Sequence, residues 1–109
     1  MTQFDVLRNK GPLRESIPFV VVVQSSLFDS YRRRMVVPLV RRNALPGQMS
    51  AVGSRLNPVF QVAGVEVVLH PLDMVSVAMD QLGEKMASLA DHGLAISDAL
   101  DELLTRTWG

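Results

Sequence analysis

Residues 3–7 (Gln-Phe-Asp-Val-Leu) alternate polar and apolar positions, the two-residue period of a half-buried first strand. Residues 8–18 carry four charged side chains together with Gly11-Pro12 and read as a loop. Residues 19–23 (Phe-Val-Val-Val-Val) are almost wholly β-branched, which predicts a buried second strand over 18–24. A third strand is expected at 35–40, where Pro38 lacks a ladder donor and so implies a sheet edge or a bulge. Between these two strands, residues 27–31 place large apolar side chains where polar turn residues are expected. The stretch 43–57 is rich in Gly, Pro and Ser, with one short helical turn expected around 49–54. Residues 59–62 and 65–69 flank Ala63-Gly64, the pattern of a two-residue hairpin, and 75–79 adds another short strand.

From Asp80 onward the period lengthens. Met79, Leu82, Met86 and Leu89 recur at helical spacing, and Gly93 then interrupts. Ile96, Leu100, Leu103 and Leu104 continue the stripe, with Asp98, Asp101 and Glu102 facing outward. Met86, Leu89, Ile96 and Leu100 are expected to pack on the sheet. Five or so antiparallel strands with a terminal helix describe either an all-β barrel with a helical appendix or a small α+β domain. No repeat or composition shift divides the chain, so residues 1–109 read as one domain.

Composition narrows the function classes. Eleven basic and eleven acidic residues cancel, which disfavours holding nucleic acid through phosphate charge alone. Arg32-Arg33-Arg34 and Arg41-Arg42 remain a candidate local basic face, or a solvated strand end and loop. Cysteine is absent, which removes disulfides, a thiolate nucleophile and cysteine-ligated metals. Residues 1–10 lack the apolar core of a signal peptide, and no apolar run approaches the ~20 residues of a membrane span. These features point to a soluble cytoplasmic protein.

Catalytic chemistry finds little to stand on. His70 and His92 have no metal-ligand spacing, and Asp91 and His92, adjacent on a helix, would point about 100° apart. Both histidines read as structural, at a strand end and a helix junction. No phosphate-cradling glycine loop, nucleophile elbow or carboxylate pair is present, so neither a cofactor nor a metal is expected. Trp108, the sole tryptophan, either folds back on its own domain or docks on a partner, since tryptophan is enriched in binding hot spots.

Val21-Val22-Val23-Gln24-Ser25, then Leu27-Phe28-Asp29, then Arg33-Arg34-Met35-Val36-Val37-Pro38-Leu39 together resemble the CcdB family of toxins. Asp73-Met74-Val75-Ser76-Val77, Gly83-Glu84 and the final helix match the same family in the same order. The resemblance implies a small SH3-like barrel of antiparallel strands with a C-terminal α-helix, shared with the MazF/Kid ribonuclease toxins. It implies a homodimer that binds the DNA gyrase A subunit, traps the covalent gyrase–DNA cleavage complex, and is neutralised by a CcdA-like antitoxin. Action would be by binding, without enzymatic chemistry, membrane contact or direct sequence-specific recognition of nucleic acid.

In that family the helix ends in an aromatic-Trp-Gly-Ile tail that enters gyrase. An ungapped register puts Asp101 at a family Asn/Asp position, Leu104 at the aromatic and Thr105 at the Trp, with Arg106 and Thr107 replacing Gly-Ile. The other register takes Trp108-Gly109 as the family Trp-Gly after a short insertion, with the last Ile missing. Leu27 and Phe28 match the paired apolar residues that flank the tail in the gyrase contact, or serve as core or loop anchors. The resemblance thus nominates Leu27, Phe28, Asp101, Leu104, Thr105, Arg106, Thr107, Trp108 and Gly109. A ribonuclease of the MazF/Kid type is the rival reading, with the arginines and His70 as its groove. The opening and internal arginine–glycine motifs of those enzymes are missing here. A diverged homologue that binds antitoxin without poisoning gyrase is the third.

Overall fold

The computed structural model describes residues 2–24, 32–45 and 52–105. Seven strands and one helix occur in this order: β1 (Asp5–Asn9), β2 (Phe19–Val22), β3 (Arg33–Arg41), β4 (Val59–Val62), β5 (Val65–Leu69), β6 (Val75–Ala78), β7 (Leu82–Ser88) and α1 (Gly93–Thr105). All pairings between these strands are antiparallel. The sheet runs β4-β5-β3-β2-β1-β7, with β6 also paired to β3. It curls into a half-barrel, and α1 adds Ile96 and Ala99 to the main core. The fold is therefore mainly β with a C-terminal helix, as the strand pattern implied.

β3 is the spine, and Pro38 explains how it serves two partners. Its first half pairs with β6 (Arg33↔Ala78 to Val36↔Val75) and its last with β5 (Leu39↔Leu69 to Arg41↔Val67). The Pro38 carbonyl accepts the His70 N–H at 3.1 Å, so the side of Pro38 that lacks an N–H faces the junction between β6 and β5. The expectation of an edge or a bulge is thus corrected: Pro38 lies inside a central strand, where the partner changes and no ladder donor is required.

Alternation along the strands divides the apolar residues between two faces. Val6, Phe19, Val21, Val37, Leu39, Phe60, Val62, Val67 and Leu69 form the main core with Leu89, Ile96 and Ala99. Leu7, Val20, Val22 and Val36 form a smaller cluster, flanked by Ile17, Val77 and Leu82. The β4–β5 hairpin turns on Ala63 (φ 51°) and Gly64 (φ 79°), both left-handed as a type I′ turn requires.

The helix expected from Asp80 onward is a strand instead. Residues 82–88 form β7, paired with β1 (Asp5↔Ser88, Val6↔Ala87, Leu7↔Lys85, Asn9↔Leu82). Two register shifts interrupt that pairing and break the two-residue alternation, so Leu82 and Met86, four residues apart, pack in different clusters, Leu82 with the smaller one and Met86 with the main core. Gly83 permits the close approach: a Cβ there would stand 3.0 Å from Arg8 Cβ and 3.2 Å from the Arg8 carbonyl oxygen. Met86 and Leu89 do pack against the main core, as expected, but from β7 and the turn after it.

The loop expected over 8–18 is shorter, because β1 runs on to Asn9. Asn9 organises the loop from its first residue: its Nδ2 donates to the Ile17 carbonyl at 2.9 Å, and its Oδ1 accepts the Gly11 N–H at 2.9 Å. The helical turn expected around 49–54 lies partly outside the described residues; Val52 bridges Asn57, and Gly53 and Ser54 form a turn rather than a helix.

Candidate functional site

α1 forms because apolar residues recur on one face, and it is fixed at its start by packing. Ile96 and Ala99 are fully buried in the main core, with Ala95 and Leu100 half-buried beside them. Gly93 opens the helix against the Phe4 ring. Phe4 itself is held at φ 71° by three constraints: its N–H donates to the Val22 carbonyl, its carbonyl accepts the Leu89 N–H, and its ring meets Gly93. The start of α1 is thereby tied to the end of β2.

At the other end the helix changes character. Leu104 is 58% exposed, which corrects its place in the buried stripe. At 100° per residue it stands about 90° from the centre of the face made by Ile96, Ala99, Leu100 and Leu103. Asp101 is exposed, and Thr105 is the last residue of the helix. Of the nominated residues, the structure thus brings Asp101, Leu104 and Thr105 together on the final turns. Leu27, Phe28, Arg106, Thr107, Trp108 and Gly109 lie outside the described residues.

The basic stretch is taken up by structure. Arg34, 1% exposed, lies on the same strand face as Val36 and donates to the Gln24 carbonyl at 3.3 Å. The Gln24 side chain in turn accepts the Met35 N–H at 3.0 Å. Arg33 donates to Ser76 Oγ (3.0 Å) and to the Ser76 carbonyl (2.6 Å), and Arg41 to the Glu15 carbonyl (2.8 Å). Arg42 pairs with Glu66 at 3.3 Å.

The histidines have structural surroundings. His70 comes directly after β5, with Nδ1 3.4 Å from Asp73 Oδ2. His92 ends the short turn before α1 and tilts against the Phe60 ring, centroids 5.3 Å apart. Among the described residues, no three His, Cys, Asp or Glu gather to hold a metal, and no helix is long and apolar enough to cross a membrane.

Asp5 is a carboxylate whose pKa its surroundings displace. Burial pushes its pKa up, but the Thr2 N–H (2.9 Å) and Oγ1 (2.8 Å) and the Lys85 ammonium (3.3 Å) outweigh that and hold it below the ordinary carboxylate value.

Three features are not evident in the sequence pattern. Arg34 is buried within an apparently basic patch. An apolar groove of about 330 Å³, walled by Ile17, Val20, Val36, Pro38, Val75 and Val77, opens on the second sheet face. Arg55 reaches two carboxylates of α1, Asp98 at 3.6 Å and Glu102 at 3.8 Å. Asp98 and Glu102, one turn apart on the expected helix, are the signal that could have pointed to the last.

A curled antiparallel sheet packed by a C-terminal helix, with Leu104 exposed near the helix end, defines a small β domain that offers surfaces. A family model described as CcdB protein matches residues 3–106, through all of α1, and the chain belongs to the CcdB family. That membership supports a toxin of a CcdA/CcdB toxin–antitoxin system.

Proposed function

We propose that this protein, a single toxin domain over 1–109, binds the DNA gyrase A subunit as a homodimer in the cytoplasm. It traps the gyrase–DNA cleavage complex and is released from that task by a CcdA-like antitoxin. The family match through α1 carries the reading, because the helix and the residues after it are where the family meets gyrase.

The local chemistry agrees with action by contact. Leu104 offers apolar area at the end of the helix, and Asp101 offers polar specificity beside it. Trp108 would supply the aromatic anchor, Leu27 and Phe28 further apolar area, and Thr105, Arg106, Thr107 and Gly109 the surrounding contacts. The dimer would enter the open DNA gate and hold the covalent intermediate, so that religation fails. An antitoxin segment that folds over the same surface would inhibit by competition.

The ribonuclease reading has less to draw on, since Arg33, Arg34, Arg41 and Arg42 are engaged within the fold. Titration calorimetry of the protein against the gyrase A subunit tests the proposal. Leu104→Asp and Trp108→Ala should each weaken binding at least tenfold, given that truncating a buried aromatic anchor costs about 2–4 kcal/mol. Unchanged affinity in both variants would move the contact elsewhere.

A further inference from the structure

We infer that Arg55 is a positioning residue that clamps the last turns of α1 to the turn that carries it. The helix carries Asp98, Asp101 and Glu102 toward its C-terminal end, with no basic residue in its last turn. Carboxylates there face the negative pole of the helix dipole, which favours fraying. The next basic residue in sequence, Arg106, lies outside the described residues.

Arg55 brings a cation from another element. Its Nη2 is 3.6 Å from Asp98 Oδ1 and its Nε 3.8 Å from Glu102 Oε2, so one guanidinium spans two carboxylates one helical turn apart. These separations exceed hydrogen-bond length, so the attraction is one of charge rather than of aligned donors. An arginine on a loose loop would add little, because exposed ion pairs lose most of their worth to side-chain and solvent freedom.

Here the loop is anchored. The Gly53 N–H donates to the Asn57 carbonyl (2.8 Å), and the Asn57 N–H to the Ser54 carbonyl (3.2 Å) and Oγ (3.3 Å). Asn57, 3% exposed, donates through Nδ2 to the carbonyl of fully buried Leu69 at 3.1 Å. A continuous chain therefore runs from β5 through Asn57 and its turn to Arg55, and from there to the helix. It acts toward the end of α1, where Leu104 is exposed and the fully buried Ile96 and Ala99 lie further back along the helix.

A clamp on α1 holds the helix end, with Asp101 and Leu104, in one orientation toward gyrase, a consequence that rests on the gyrase reading. Amide hydrogen exchange on the full chain, paired with a gyrase cleavage titration, tests both parts. Arg55→Gln should speed exchange at 102–105 roughly threefold or more and leave β2 and β3 unchanged, as expected for local opening. The concentration giving half-maximal linear DNA should rise by a similar factor. Arg55→Lys should fall between, and Arg55→Glu combined with Glu102→Arg should restore much of the protection. Identical exchange in Arg55→Gln and the unaltered protein would overturn the clamp. So would acceleration spread equally over β2 and β3, which would mark a general loss of stability. If the unaltered protein yields no linear DNA, the gyrase reading falls, and the exchange pattern alone decides for or against the clamp.

Discussion

Ala63 occupies a left-handed turn position where asparagine or glycine is usual, with φ 51° before Gly64 at 79°. Ala63→Asn should therefore raise stability by about 0.5–1 kcal/mol, read as a higher urea midpoint at unchanged slope. Asp5 makes the opposite kind of prediction, one of pH. Its folded pKa lies below the ordinary value of 3.8, so its contribution is present above that value. Stability is then lost as pH falls through the lower, folded pKa. Asp5→Asn should be less stable than the unaltered protein at pH 7 and should show a flatter stability profile below about pH 4, as thermal melts across that range would record. At this scale the sequence was only partly legible. The hairpin residues announced themselves, whereas Arg34 looked like part of a solvated run. Its burial results from β3 beginning two residues earlier than its apolar stretch, which puts Arg34 in one row with Val36 and Pro38.

The elements with regular alternation were readable and the irregular one was not. β2, β3, β4, β5 and β6 arise from runs of Val, Leu and Phe bounded by turn residues, and their observed bounds differ from the expected ones by only a few positions. β7 was hidden because its two register shifts against β1 remove the period that identifies a strand. Tertiary pairing decided its state, with Gly83 allowing Arg8 to come close. Gly83→Val should consequently cost about 1–3 kcal/mol through overpacking at the β1–β7 contact, measurable by denaturant unfolding. A cost near zero would show that this glycine is not required for the approach. α1 was legible as an element but not in its last turn, where simple spacing assigned Leu104 to the core and the rotation of the helix carries it to solvent.

For the molecule as a whole, the family was legible because its motif residues fall where the fold needs them. Gln24 receives Arg34 on its backbone and caps Met35 with its side chain, and Pro38 marks the change of partner along β3. The candidate site was legible only through resemblance, since Asp101, Leu104 and Thr105 have no signature of chemistry that periodicity could expose. The proposed action by contact with another protein agrees with the charge balance and with arginines held within the fold. The most direct test is a gyrase cleavage assay with purified protein, gyrase, supercoiled DNA and ATP, quenched with detergent and protease. The expected result is dose-dependent linear DNA that is lost with Trp108→Ala and suppressed by a CcdA-like antitoxin. Supercoiled DNA left uncut at every dose, with gyrase from the toxin's own host, would contradict gyrase poisoning.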